Sequence, residues 1–423
     1  QDLSTHDGFA VVTMGWFAMA IFSAFPFYFS GTLDYTNSFF EAMSGLTTTG
    51  ATVLGHSSTL LIEDVPHGIL FWRSFTQFIG GMGIIVFSIA ILPMLGMGGV
   101  QLFRAEVAGP VADKITPRVK QTAKLLWGIY VGFVLILCLI LKIEGMSWFD
   151  AICHSFTTIA TSGFSTKNIS IAAYGGLIQW TIIIFMFIAA TNFSLHYYFI
   201  AKGKFEYYKD HEFRVYFGLC IIFSILFFIN IVGTNKYQTD LLSFRHSVFA
   251  AVSILTTTGF STENFNEWPE MSKMLLFFLF FIGGSSGSTT GGMKIIRSIL
   301  VVKYLFYEVR KLLHPKGVFN ITIGENTIND NVVRATLGFY LFYILIFVFT
   351  AISLSFTGLD VETALTASAS AIGNIGPGLG SIGPYGNWGH LTDYAKWLTS
   401  FCMLLGRLEI FTVVVLFSRS FWK

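Results

Sequence analysis

Residues 8–30 form an uncharged run of 23 residues, and seven further long apolar runs follow, near 67–95, 122–143, 173–200, 213–232, 268–312, 330–357 and 392–421. About 20 helical residues cross the hydrocarbon core of a bilayer. Inside lipid every backbone polar group needs a partner within the chain, which leaves only helices or closed barrels. The two-residue alternation of barrel strands is absent, so the sequence predicts an all-α integral membrane protein. Composition agrees: 12% of the 423 residues are charged and 53% hydrophobic, where a soluble domain carries about a quarter charged.

The formal net charge of +2 conceals an uneven placement. Of the 26 Lys and Arg, 17 fall in segments 96–124, 201–214, 294–316 and 419–423, which the positive-inside rule assigns to the cytoplasm. Segment 51–69 holds Glu63 and Asp64 and no basic residue, so it belongs outside. Lying between apolar spans, the basic runs mark topology at the lipid bilayer and not a nucleic-acid surface. Cys138, Cys153, Cys220 and Cys402 are dispersed without a CxxC pair, so neither a disulfide framework nor a zinc site is expected. "GLGSIG" at 378–383 and "GSTTGGMK" at 287–294 imitate nucleotide-binding loops. Neither follows a strand, and Met293 interrupts the second. With no HExxH or GxSxG either, the sequence predicts no enzyme and no organic cofactor.

The spans fall into four pairs. Between the members of each lies a shorter apolar segment, at 37–48, 149–160, 244–256 and 362–373, too short to cross and suited to a re-entrant helix. Each runs into a small polar loop: "SGLTTTGAT" at 44–52, "SFTTIATSGFSTKN" at 155–168, "SILTTTGFSTEN" at 253–264 and "SAIGNIGPGLG" at 370–380. Aligned on Gly50, Gly163, Gly259 and Gly376, they recur at intervals of 113, 96 and 117 residues. Asn37 and Asp150 stand 13 residues before their glycines and Glu362 stands 14 before its own, where side-chain oxygens would cap the short helices. His246, at the third such position, fits less well. The expected units are repeat 1 at 1–121, repeat 2 at 122–212, repeat 3 at 213–329 and repeat 4 at 330–423. Each basic segment follows the second span of a pair, so every polar loop enters from outside. Four units of one orientation predict a ring around a pseudo-fourfold axis, unlike the inverted repeats of many transporters.

Irregular backbone at membrane depth survives only against protein or a wet cavity. Loops meeting on an axis would present rings of carbonyls, the means by which potassium-channel filters replace the water around a cation. A single "TTTG" is more simply a helix contact, since Thr and Ser bond back to their own backbone or to a neighbouring helix. Three close copies and a divergent fourth at matching places favour an ion filter.

These loops, together with "FIGGMGIIV", "FIGGSSGSTTGGMK" and "GRLEIFT", resemble the Trk/Ktr/HKT superfamily of cation transporters, in particular its TrkH-type potassium uptake membrane subunits. The likeness runs over essentially the whole chain. It implies K+ held by backbone carbonyls of Thr48, Thr49, Thr161, Ser162, Thr257, Thr258, Asn374 and Ile375, with Gly50, Gly163, Gly259 and Gly376 alongside and hydroxyls as candidate further ligands. On that resemblance, whose plant members pair Ser at this position with sodium preference, Gly50 implies potassium or rubidium over sodium. The resemblance further implies a homodimer in the bacterial inner membrane, seated on cytosolic TrkA-type nucleotide-binding subunits, for which segments 201–214 and 294–316 are candidate docking surfaces.

The sixth span is interrupted 15 residues in by Gly283, Gly284, Ser285, Ser286, Gly287, Ser288, Thr289, Thr290, Gly291 and Gly292. Such a run exceeds a packing kink and must line water or protein. Arg407 lies 15 residues into the last span, so loop and guanidinium share a level, about 22 Å from the outer end at ~1.5 Å per residue. A buried arginine needs acceptors, and Glu409, two residues on, points away. Arg407 is therefore expected to donate to carbonyls of a gate loop at 283–292, a reading the resemblance supports. "GGMG" at 80–83 and "ATNFS" at 190–194 are expected to bend the equivalent spans. The competing function is a proton- or sodium-coupled potassium symporter, for which Glu409 is the one obvious intramembrane carboxylate.

Overall fold

The computed structural model describes residues 5–55, 60–90, 115–234, 236–324 and 326–422. The part of the basic segment 96–124 up to residue 114 lies outside the described residues.

Repeat 1 comprises α1 (Thr5–Phe29), the short α2 (Tyr35–Leu46) and α3 (His67–Ala90); repeat 2 comprises α4 (Ile115–Ile143), the short α5 (Trp148–Ile159), α6 (Gly176–Ala189) and α7 (Phe193–Lys202). Repeat 3 comprises α8 (His211–Val232), α9 (Asp240–Leu255), α10 (Glu270–Leu279) and α11 (Ile295–Leu313), and repeat 4 comprises α12 (Asp330–Ser355), α13 (Val361–Gly373), α14 (Asp393–Arg407) and α15 (Phe411–Val414). Between α11 and α12 a two-residue ladder pairs Thr322 with Thr327 and Ile323 with Asn326, a small exception to the all-helical expectation.

The first helix of every repeat contains an unbroken span long and apolar enough to cross a membrane: Asp7–Phe29, Gln121–Ile143, His211–Val232 and Asp330–Ser355. Their outer faces leave large apolar side chains exposed, among them Phe22, Leu139, Ile229 and Phe349, as a lipid-facing helix requires. The second helices behave differently. Repeat 2 bends by 95° between α6 and α7, repeat 4 by 111° between α14 and the segment Phe411–Phe417, and repeat 3 is broken between α10 and α11. Repeat 1 contradicts expectation here. "GGMG" lies within a continuous α3, and its glycines serve close approach: a Cβ on Gly80 would sit 2.0 Å from the Leu46 carbonyl oxygen and one on Gly81 2.9 Å from Ala160.

The short helices start where a small oxygen-bearing residue supplies the cap. Asp34 accepts from the Asn37 N–H at 2.8 Å, Ser147 from Asp150 N–H at 3.0 Å, Thr239 from Leu242 N–H at 3.3 Å and Asp360 from Thr363 N–H at 3.0 Å. The caps thus stand upstream of Asn37, Asp150 and Glu362, which occupy the first turn. Asp150 instead accepts from the hydroxyls of Ser147 and Thr166. His246 lies well inside α9, because that helix begins at Asp240 and has 16 residues against 12 in α2 and α5; its Nδ1 bonds to Thr262.

The second helix of one repeat packs on the short helix of the next, α3 on α5, α6 on α9, and α14 back on α2. Between repeats 3 and 4 the approach is made just after α10, where a Cβ on Gly373 of α13 would lie 3.0 Å from the Phe280 carbonyl oxygen. The four short helices are almost wholly buried along their C-terminal halves, directing four carbonyl-rich, partially negative ends toward the middle of the bundle.

Candidate ion filter and gate loop

Each short helix ends by the same device. Its last residues are followed by one in the left-handed region, Thr48 (φ 51°), Thr161 (50°), Thr257 (54°) and Asn374 (53°), and two residues later by a left-handed glycine, Gly50 (78°), Gly163 (78°), Gly259 (77°) and Gly376 (103°). The chain is tied back into the last turn by N–H groups: Thr49 to Ser44, Ser162 to Thr157, Thr258 to Ser253 and Ile375 to Ser370, at 2.9 to 3.1 Å. A β-branched residue at positive φ is strained, and three of the four repeats accept it at the same position. The fourth uses Asn, a residue that tolerates this region, which is a backbone reason for the divergent "GNIG".

The glycines close the ring. A Cβ on Gly50 would lie 1.9 Å from the Ser162 carbonyl oxygen, on Gly163 2.0 Å from that of Thr258, on Gly259 2.0 Å from that of Ile375, and on Gly376 2.6 Å from that of Thr49. Every contact is to the next repeat in order, and the last returns to the first. Eight of the twelve candidate filter residues meet in these contacts, with Thr48, Thr161, Thr257 and Asn374 next to them in the chain, and the four glycines share one outward cavity with Ala51, Ser165 and Ser261. The middle hydroxyls turn back into their own supports: Thr49 bonds with Thr47 and Thr258 with Thr256, both at 2.8 Å, while Ser162 donates to Gln77 at 2.7 Å. These bonds engage the three hydroxyls within the protein.

Several supporting residues were not singled out in the sequence. Arg73 on α3 donates to Glu41 on α2 at 2.6 Å and to the Ser165 carbonyl at 2.7 Å, with its guanidinium 3.8 Å from the centre of the Phe164 ring. Glu41 also accepts from the Thr52 hydroxyl and the Val53 N–H. One turn along α3, Gln77 donates to the Ser162 carbonyl at 2.9 Å and accepts from the Phe164 N–H at 3.1 Å. Trp388 donates to the Gly376 carbonyl at 3.1 Å. For Arg73 and Gln77 the available hint was the polar cluster Arg73, Ser74, Thr76 and Gln77 within an otherwise apolar α3.

Below the ring lies the Gly/Ser/Thr loop. Thr289 is fully buried; its hydroxyl is 3.0 Å from the Ile159 carbonyl at the end of α5 and 3.1 Å from the Thr161 hydroxyl. The Gly291 N–H donates to the Thr257 hydroxyl oxygen at 2.8 Å, and a Cβ on Gly291 would be 2.4 Å from the Gly373 carbonyl oxygen at the end of α13. Arg407, 2% exposed, donates to the Thr289 carbonyl at 2.8 Å and to the Gly80 carbonyl of α3 at 3.2 Å. The arginine and loop thus meet as expected, beneath the ends of the short helices.

The loop is also held from the side of the α6–α7 bend. Ser285 N–H donates to the Ala190 carbonyl and Phe193 N–H to the Gly287 carbonyl, at 3.0 and 3.1 Å. Glu212, in the first turn of α8 and 1% exposed, accepts from both Ser286 N–H at 2.8 Å and Ile296 N–H at 3.0 Å, clasping the two flanks of the loop with one carboxylate. Its neighbours His211 and Asp210 gave no sign of this in sequence. Two further expectations are corrected. Glu409 does not sit within a full span but at the break after α14, with φ 59°, and it pairs with Arg297. Lys294 and Arg297, counted with the cytoplasmic basic segment, are buried; Lys294 donates to Thr290 of the loop.

The whole chain is similar to known proteins. The family model TrkH, described as a cation transport protein, matches residues 1–423. The Trk system potassium uptake protein TrkH of Vibrio parahaemolyticus is 41% identical over 430 residues, covering 100% of this chain and 87% of that protein; the protein of that name from Escherichia coli is 40% identical over 427 residues, with the same coverages. The crystal structure of the potassium transporter TrkH from Vibrio parahaemolyticus superposes with a TM-score of 0.91 at 38% identity, covering 100% of this chain and 87% of that one. The chain is a member of the TrkH family of cation transport proteins.

Proposed function

We propose that this protein is a potassium and rubidium uptake subunit of the bacterial inner membrane, with a filter built by the four polar loops and a gate built by residues 283–292 and Arg407. The observation that carries the reading is the closed succession of glycine-to-carbonyl contacts through all four repeats, because rings of neutral carbonyls suit a dehydrated monovalent cation. The loop below it is packed against the ends of the short helices and held by Arg407, which fits a shut gate. The protein works as a homodimer regulated by cytosolic TrkA-type nucleotide-binding subunits, and K+ is its cargo.

Passive conduction is favoured over coupled symport by the engagement of the ionisable side chains around the loop: Glu212 and Arg407 bind its backbone, and Arg297 pairs with Glu409. In proteoliposomes clamped at zero membrane potential, the protein should let rubidium equilibrate and no further, with or without a proton gradient. Accumulation against the rubidium gradient would establish a symporter instead.

A further inference from the structure

Two of the polar loops continue almost identically past the ring glycine, as "GFSTKN" at 163–168 in repeat 2 and "GFSTEN" at 259–264 in repeat 3. They differ at one position, four residues after the glycine, where Lys167 stands against Glu263; repeats 1 and 4 place the uncharged Leu54 and Gly380 there. The structure treats the two charges differently. Lys167 lines the outward cavity shared by the four ring glycines, whereas Glu263 does not, its carboxylate accepting from the Asn264 N–H at 3.3 Å. The other charged residue on that cavity is Arg73, and Glu41 answers its charge at 2.6 Å. Lys167 is in no ion pair among the described residues. The acids that touch its chain neighbours are engaged otherwise: Asp150 accepts from the Ser147 and Thr166 hydroxyls, and Glu63 from the Asn168 N–H at 2.9 Å. Neither lines the cavity. The lining thus carries one unanswered charge, and it is positive at a mouth where cations enter.

We propose that Lys167 is a specificity-determining residue whose ammonium group repels divalent cations from the outer mouth of the filter while admitting monovalent ones. The inference rests on the proposed filter and adds selection by valence ahead of it. Neutral carbonyl rings act on an ion through its hydration shell; a fixed charge acts through the charge of the ion. Coulomb energy is proportional to that charge, so whatever factor Lys167 takes from the local concentration of a monovalent ion, it takes the square of that factor from a divalent one. The low-dielectric walls of a cleft strengthen the effect by focusing the field. Calcium accepts backbone carbonyls as ligands and would block a mouth built of them. Lys167 holds it off at a small cost to potassium entry, and a glutamate at the same place, as in repeat 3, would do the opposite.

The test is rubidium uptake by the protein in proteoliposomes at low ionic strength, with calcium added outside and rubidium kept below half-saturation when inhibition is measured. Lys167→Gln should lower the half-saturating rubidium concentration about twofold and the half-inhibiting calcium concentration about fourfold, the square of the first factor. Lys167→Glu should move both further in the same direction, and Lys167→Arg should match the unsubstituted protein. If Lys167→Gln is not recovered folded, Lys167→Met carries the same expectation. Raising impermeant salt to about 1 M, where the Debye length is about 3 Å, should remove most of the difference. Calcium inhibition unchanged in Lys167→Gln overturns the proposal, as do equal factors for rubidium and calcium, a Lys167→Arg protein that behaves like Lys167→Gln, or a difference that persists undiminished in high salt. Failure of the underlying filter reading is separable: it would appear as an unchanged rubidium-to-sodium ratio in Gly50→Ser.

Discussion

The four polar loops and the segment 283–292 are written in the same alphabet of Gly, Ser and Thr, yet they are held in opposite ways. In the ring, each loop is fastened by its own helix turn and abuts the carbonyl of the next repeat, so displacing one disturbs the others. The segment below is fastened by groups borrowed from elsewhere: Glu212 of α8, the bend after α6, Arg407 of α14 and the Thr257 hydroxyl. It appears once, in one repeat, and has no symmetric counterpart to lock it. Over-determined backbone suits a filter, which must not relax around a smaller ion. Backbone held by a handful of hydrogen bonds suits a gate, because a few kcal/mol from a partner is enough to shift a two-state equilibrium.

The comparison can be broken at either end. The largest effect is expected from Gly163→Ala, whose methyl would lie 2.0 Å from the Thr258 carbonyl oxygen at a φ of 78°. A cost of roughly 3 kcal/mol or more at the filter should abolish selective rubidium flux, measured by isotope uptake. Arg407→Ala removes two charge-assisted bonds to backbone carbonyls, one to the loop and one to α3. At about 1.5–3 kcal/mol for a hydrogen bond to a charged group, rubidium flux without a cytosolic partner should rise about 10- to 100-fold. Glu212→Gln keeps an acceptor but loses its charge, so the clasp on Ser286 and Ile296 weakens by about 1 kcal/mol and the same flux should rise about fivefold. If Arg407→Ala and a shortened 283–292 segment both left flux and its regulation unchanged, the gate assignment would be abandoned.

How legible these regions were in sequence follows from how each is held. The ring was readable because its determinants are local and repeated: a short apolar helix, small hydroxyl residues and a glycine at one offset, four times over. The meeting of Arg407 with the loop was readable from depth alone, since equal distances along two spans put both at one level. What escaped was long-range or ambiguous. Glu41 with Arg73 and Glu212 with the loop pair residues 32 and more than 70 positions apart, and nothing beside either carboxylate announces its partner. "GGMG" misled because glycine allows a bend and close packing alike, and here Leu46 and Ala160 press against a continuous helix. The caps were misplaced because aligning on the glycine fixes the end of each short helix and not its beginning, and α9 is longer than α2 and α5.

The claim that selectivity resides in the ring and closure in the loop is tested most directly by one quantity, the rubidium-to-sodium flux ratio, measured side by side in the unsubstituted protein, Gly50→Ser and Arg407→Ala. In Gly50→Ser the added side chain meets the Ser162 carbonyl oxygen, and the preference for rubidium should collapse. In Arg407→Ala the ratio should stay at the unsubstituted value while total flux rises. A ratio untouched by Gly50→Ser but lost in Arg407→Ala would place selection in the loop and contradict the account.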